Sequence, residues 1–225
     1  MKALIYKEFK LSMHPICYLF IALFPLMILI PKYPIAIGFI YVLTCYPILF
    51  LGANKGQQSN DLLYSTLLPV RKKDIVLARI ITVISMQVAF ILIMSALYPL
   101  AVYINGSIPA DQVPQGELKD IGFGLQSFVL MLSTAIIGYA ICDLIFFPIY
   151  YKNGRSIVMS TLLMILGYVV YIGVVTIALP LLIPGMNALP IGIQFACLGG
   201  AILVAVALHI IVYKTSSKNL EKVDF

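Results

Sequence analysis

Charge is what this sequence has least of: only 11% of its 225 residues are Asp, Glu, Lys or Arg, against about a quarter in a soluble domain. With 62% apolar residues and a mean hydropathy of +1.04, a water-solvated surface is excluded, and lipid must solvate the excess. Histidine is nearly absent. His14 and His209 stand at opposite ends, so the His pair beside a Glu that a zinc protease needs does not exist. The four cysteines, Cys17, Cys45, Cys142 and Cys197, lie in apolar stretches without C-x-x-C spacing. That argues against a disulfide framework or zinc site and predicts buried free thiols. There is no G-x-S-x-G and no GxxxxGK[ST], which excludes a nucleophile elbow and a phosphate-cradling loop. Asp143 is the only acid within a long apolar run, too few carboxylates for a metal-dependent headgroup transferase. No catalytic, cofactor or metal site is expected in this chain, and the missing parts leave transport, channel or scaffold roles.

What is present is a series of apolar runs. A helix needs about 20 residues to cross the hydrocarbon, and six runs qualify or nearly do: 11–31, 35–52, 75–104, 121–151, 156–183 and 191–213. The predicted fold is an all-α membrane protein, one transmembrane domain over 1–225. Successive prolines at Pro31 and Pro34 make the first reversal. The run 121–151 exceeds one straight crossing, which predicts tilt, a kink at Pro148, or an end along the interface. The tail after Tyr213 is polar, without a periodic apolar face, and predicts a frayed, dispensable end.

The basic residues set the orientation. With the amino terminus inside, Lys2, Lys7, Lys10, Lys55, Arg71, Lys72, Lys73, Arg79, Lys152, Arg155, Lys214, Lys218 and Lys222 are cytoplasmic. Only Lys32 and Lys119 lie opposite, beside the acidic outer-loop residues Asp111, Glu117 and Asp120. This is positive-inside asymmetry and puts both termini in the cytoplasm. The clustering at span ends also removes the case for nucleic acid, which needs one basic soluble face. No small-residue cleavage site follows the first run, so it is read as an uncleaved span. Residues 1–14 place Ile5, Phe9 and Met13 on one side and Lys7, Lys10 and His14 on another. A short amphipathic helix on the membrane surface and a plain basic flank fit that pattern equally.

The segment 59–74 is the most informative. Ser59, Asn60 or Asp61 can cap a short helix over 62–68 that Pro69 ends. Arg71, Lys72 and Lys73 then reach headgroup level, and the next span starts near Asp74. Such a helix can be a handle for a cytoplasmic partner or an anchor on lipid phosphates. The stretch D-x-x-Y-S-T-L-L-P-V-R-K-K-D-I-V-x-A-R resembles an element of small type-2 ABC exporter permeases. PIYYKNGRS, after the fourth run, is similar to a second, shortened motif of that family. Span number, length and Lys-rich start agree, so the resemblance covers the whole chain. Within the family it is nearest to the membrane subunits of phenol-soluble-modulin and antimicrobial-peptide exporters. Val70 departs from the pattern, where Ser or Thr is common and would cap the next helix.

The resemblance implies a partner ATPase in two copies, which binds ATP and Mg, and a second copy of this chain. It makes Asp61, Leu62, Tyr64, Ser65, Leu68, Pro69, Arg71, Lys72 and Asp74 the coupling helix that fits a groove on that ATPase. Spans so poor in charge suit an amphipathic or lipid-like cargo better than an ion or sugar; the resemblance implies amphipathic peptides or other hydrophobic cargo, with membrane lipids as the remaining partner. Asp143 is costly in an apolar run; a functional role is the default, beside a structural hydrogen bond or an interfacial position. Gly192, Ala196 and Gly200 form a ladder for close helix packing, within one subunit or between two. Fourteen tyrosines, Tyr46, Tyr139, Tyr168 and Tyr171 among them, read as interface anchors and packing, or a cargo path. The alternatives are an ATPase-independent scaffold or peptide-immunity protein and, third, a secondary transporter.

Overall fold

With no water to take their hydrogen bonds, the apolar runs satisfy their backbone internally and form helices. The computed structural model describes residues 2–12, 15–29, 65, 69–106, 125–153, 157–175 and 190–222. Helix α1 covers Lys2–Lys7 and runs into a π-helical turn, Glu8–Ser12. Helix α2, Pro15–Leu23, tightens into a 3-10 turn over Phe24–Leu29. The long helices follow: α3 Lys72–Gly106, α4 Leu125–Asn153, α5 Ile157–Gly173 and α6 Ile191–Glu221. Among the described residues, all regular structure is helical. Three of these helices, over Lys72–Ile104, Phe128–Lys152 and Ile191–Glu221, are long and apolar enough to cross a membrane. Ile16–Leu26 and Val158–Gly173 are apolar but shorter. The expected span 35–52, the outer loop and most of the coupling segment lie outside the described residues.

Side-chain pairings give the directions. Arg79 meets Tyr150, Gln87 meets Asp143, and Tyr98 stacks on Phe128 at 4.2 Å, so α3 and α4 are antiparallel. Tyr171 donates to the Thr134 carbonyl at 2.8 Å, and Gly167 packs against Ile145, so α5 reverses again. His209 meets Asp143, and Asn219 donates to the Pro148 carbonyl at 2.8 Å; α6 therefore runs parallel to α4. Helix α4 is the centre, packed on α5 and α6, and α6 also touches α3. Its Tyr139, Cys142, Phe146, Phe147, Tyr150 and Tyr151 are all buried. Hydroxyls along the helices bond back to their own backbone, as Thr82 does to Ala78, Ser85 to Ile81 and Ser133 to Val129. That hides their polarity where no water is available.

Two expectations need correction, and a third, the small-residue ladder, meets no neighbour among the described residues. The tail is not frayed: α6 continues to Glu221, and Val212, Ser216 and Leu220 are buried along it at every fourth residue. Small serines allow that face to close on its neighbours, while its polar side stays exposed. Cys17 and Cys142 are buried, but Cys197 is exposed, on the face of α6 turned away from the other helices. The ladder of Gly192, Ala196 and Gly200 does not pack on the described part of its own chain. A Cβ at either glycine meets nothing within 4 Å, and Ala196 is exposed. In that half of α6 the buried small residues are Ala201 and Ala205, displaced around the helix from that ladder. Helices approach closely elsewhere: a Cβ at Gly167 would collide with the Ile145 side chain, and one at Gly138 would stand 2.8 Å from the Tyr168 ring and 3.0 Å from that of Tyr171.

Candidate functional site

Two buried polar layers join helices that apolar contact alone would leave free to slide. The first layer centres on Arg79, one of the largest fully buried side chains, at 2% exposure. Its Nε and Nη2 donate to the two carboxylate oxygens of Glu8, at 2.9 and 3.3 Å. The planar fork of a guanidinium matches a carboxylate in this two-bond arrangement. Nη1 reaches the Tyr150 hydroxyl of α4 at 3.5 Å. Lys7 lies 3.7 Å from Glu8 and donates to the hydroxyl of Ser65. The layer thus ties four places together: the amino-terminal segment, Ser65, and the parts of α3 and α4 around Arg79 and Tyr150.

This changes the reading of the amino terminus. Neither a surface helix nor a basic flank accounts for Glu8, which is 3% exposed and turned inward. The π-helical turn from Glu8 to Ser12 follows directly on the residue that holds Ser65. Arg79, one of the basic residues counted for orientation, lies near the start of α3 with its charge paired inside the protein.

Of the expected coupling residues, Ser65 is buried beneath Lys7. Pro69 and Val70 form an exposed bend, Arg71 is exposed, and Lys72 and Asp74 are partly covered in the first turn of α3. The Asp74 N–H donates to the Arg71 carbonyl at 2.9 Å, so helix entry proceeds without a Ser or Thr at position 70. Asp61, Leu62, Tyr64 and Leu68 lie outside the described residues.

The second layer lies about 12 Å further along α3, eight residues at 1.5 Å each. Gln87 Nε2 donates to Asp143 Oδ2 at 3.0 Å, and His209 Nε2 lies 2.9 Å from the same oxygen. Asp143 is fully buried, Gln87 is 5% exposed, and the histidine ring is mostly covered. Three helices meet at one oxygen. Asp143 is therefore inside the bundle and not at the interface. Gln87 and His209 were not singled out by sequence, although each had a signal: Gln87 is the one side-chain amide in the run 75–104, and His209 the one histidine in 191–213.

These layers sit in an all-helical bundle, and the family model described as ABC-2 family transporter protein matches residues 3–219, nearly the whole chain. The chain belongs to the ABC-2 transporter family. An ABC-2 chain of this kind is the membrane-spanning permease subunit of an ABC transporter, a multi-pass membrane protein without an ATPase motif of its own. The family implies an ABC ATPase as its partner. Neither a curated protein nor a solved structure matches the chain. Among the described residues, no group of His, Cys, Asp or Glu could hold a metal ion.

Proposed function

We propose that this permease is the membrane subunit of an ATP-driven exporter that moves amphipathic peptides across a bacterial plasma membrane. It crosses six times as one transmembrane domain with both termini cytoplasmic, and two copies assemble with two ATPases that bind ATP and Mg and hydrolyse the nucleotide. The segment 59–74 is the coupling helix. The observation that carries the reading is the buried connection from Ser65 through Lys7 and Glu8 to Arg79 and Tyr150. A segment pushed by a closing ATPase needs a stiff link to the spans, and a desolvated two-bond ion pair is stiff where a lipid anchor is not. Ser65 is the described residue of the segment that makes that link. Asp61, Tyr64 and Leu68 are assigned to the ATPase contact, with Leu62, Pro69, Arg71, Lys72 and Asp74 shaping the helix and its exit. Peptide cargo follows from the family resemblance and from spans whose buried charges are already paired, leaving apolar surface as the main contact. The exposed ladder Gly192, Ala196 and Gly200 is assigned to contact with the second copy or with lipid.

The test is co-purification with the partner ATPase and peptide-stimulated hydrolysis in reconstituted vesicles. Asp61→Ala with Tyr64→Ala should insert normally yet weaken ATPase binding or lose peptide stimulation, since a few charged and aromatic contacts dominate such interfaces. Wild-type behaviour of that double variant in both assays would favour an ATPase-independent scaffold.

A further inference from the structure

The mid-membrane layer has a proton arithmetic of its own. His209 Nδ1 lies 2.7 Å from the Ala205 carbonyl, which can only accept, so Nδ1 carries a hydrogen. His209 Nε2 faces Asp143 Oδ2 at 2.9 Å, and two lone pairs cannot meet at that distance without a proton between them. One proton therefore lies between imidazole and carboxylate. Wherever along the bond it rests, the pair is neutral overall, which suits a site in hydrocarbon.

The arrangement has no reserve. Both donors, Gln87 and His209, converge on Oδ2, while Oδ1 is buried with no hydrogen-bond partner among the described residues. If the shared proton passes to bulk water, Gln87 alone faces a net negative charge in a low dielectric, and the Nε2 lone pair is set against Oδ2. The contact that joined α6 to α4 becomes repulsive. The other titratable groups around the pair do not carry its charge. On α3, Arg79 lies two turns toward the cytoplasm and is held by Glu8. On α4 stand Tyr139, Cys142 and Tyr150, on α5 Tyr168 and Tyr171 beside Cys142, and on α6 Tyr213. Phenols and thiols of this kind are uncharged near neutral pH.

We propose that Gln87, Asp143 and His209 are positioning residues of the transport cycle, forming a latch across α3, α4 and α6 that is shut by one proton. Losing that proton to water frees α6 from α4, and regaining it shuts the latch. The latch rests on the permease reading only for its place in the cycle; the link itself is a property of this chain.

The test uses the full chain in lipid bilayers. With His14→Gln, His209 is the only histidine, and nitrogen NMR of labelled protein reads its ring directly. Nδ1 should stay protonated throughout, and Nε2 should lose its proton in a single-proton transition as pH rises. Spin labels at Lys152→Cys on α4 and Lys214→Cys on α6, with the native cysteines replaced, should move apart over the same pH interval. Asp143→Asn and His209→Gln should abolish that movement. A distance that stays constant while Nε2 titrates, or an Asp143→Asn chain that moves as wild type does, overturns the latch. Should either variant fail to insert, the wild-type titration and distance decide alone. None of these readouts needs the ATPase, so failed co-purification would remove the exporter reading and leave the latch standing.

Discussion

The two polar layers solve the problem of buried charge in different ways. Near the start of α3, Glu8 and Arg79 form an ion pair and hold each other with two hydrogen bonds. Guanidinium does not give up its proton, so that link has one state. In the middle of the bundle, Asp143 faces a histidine, a partner that can exist with or without its second proton. The layer at Arg79 is therefore a rigid joint, and the deeper one is the latch proposed above. Rigidity sits beside Ser65 and adjustability deeper in the bundle.

The largest effect should come from breaking the rigid joint. Arg79→Ala leaves Glu8 buried without its partner and should cost about 3–5 kcal/mol, measured by thermal unfolding in detergent or lipid. Asp143→Asn should cost less, because it removes the buried charge: an amide nitrogen in place of Oδ2 can donate to a neutral imidazole and to Gln87 Oε1 once the Gln87 amide turns over. Equal losses in the two variants would erase the distinction between the layers.

Packing sharpens the comparison at the next level. Gly138→Ala drives a methyl group into the rings of Tyr168 and Tyr171 and should cost about 1–3 kcal/mol. Gly192→Ala, at an open position, should stay within about 0.5 kcal/mol for the single chain. A larger loss at Gly192 in the assembled transporter, absent from the isolated chain, would place that face in the contact between copies.

The smallest effect concerns the end of α6. Truncation after Lys218 removes Asn219, its hydrogen bond to Pro148, and the buried Leu220. It should lower the unfolding midpoint by an amount equivalent to about 1–3 kcal/mol. The Lys73–Glu221 pair lost with it is half-exposed and adds about 0–1 kcal/mol. An unchanged midpoint would restore the picture of a dispensable tail.

Much of the architecture could be read from the residues alone, and the reason is lipid. Runs of Leu, Ile and Val announce helices because nothing else satisfies the backbone in hydrocarbon; α3 and α4 follow the runs 75–104 and 121–151 closely, and α6 starts with the run 191–213 and continues past it to Glu221. Asp143 stood out for the same reason. Its partners did not, because pairing across 56 and 66 residues leaves no local pattern. Glu8 was hidden differently: an acid between Lys7 and Lys10 looks like part of a charged flank until its partner 71 residues away is in place. The tail misled because Ser216 and Ser217 score as polar, yet small hydroxyl residues pack well on a neighbouring helix.

The central claim is that movement of the coupling segment reaches the spans through Glu8 and Arg79. The direct measurement is the ratio of peptide-stimulated to basal ATP hydrolysis in vesicles, for wild type, Glu8→Gln, Arg79→Gln and the reversal Glu8→Arg with Arg79→Glu. The account predicts that each single variant still co-purifies with the ATPase and hydrolyses ATP basally, but loses most of its stimulation, and that the reversal recovers part of it. Full stimulation in both single variants would contradict it.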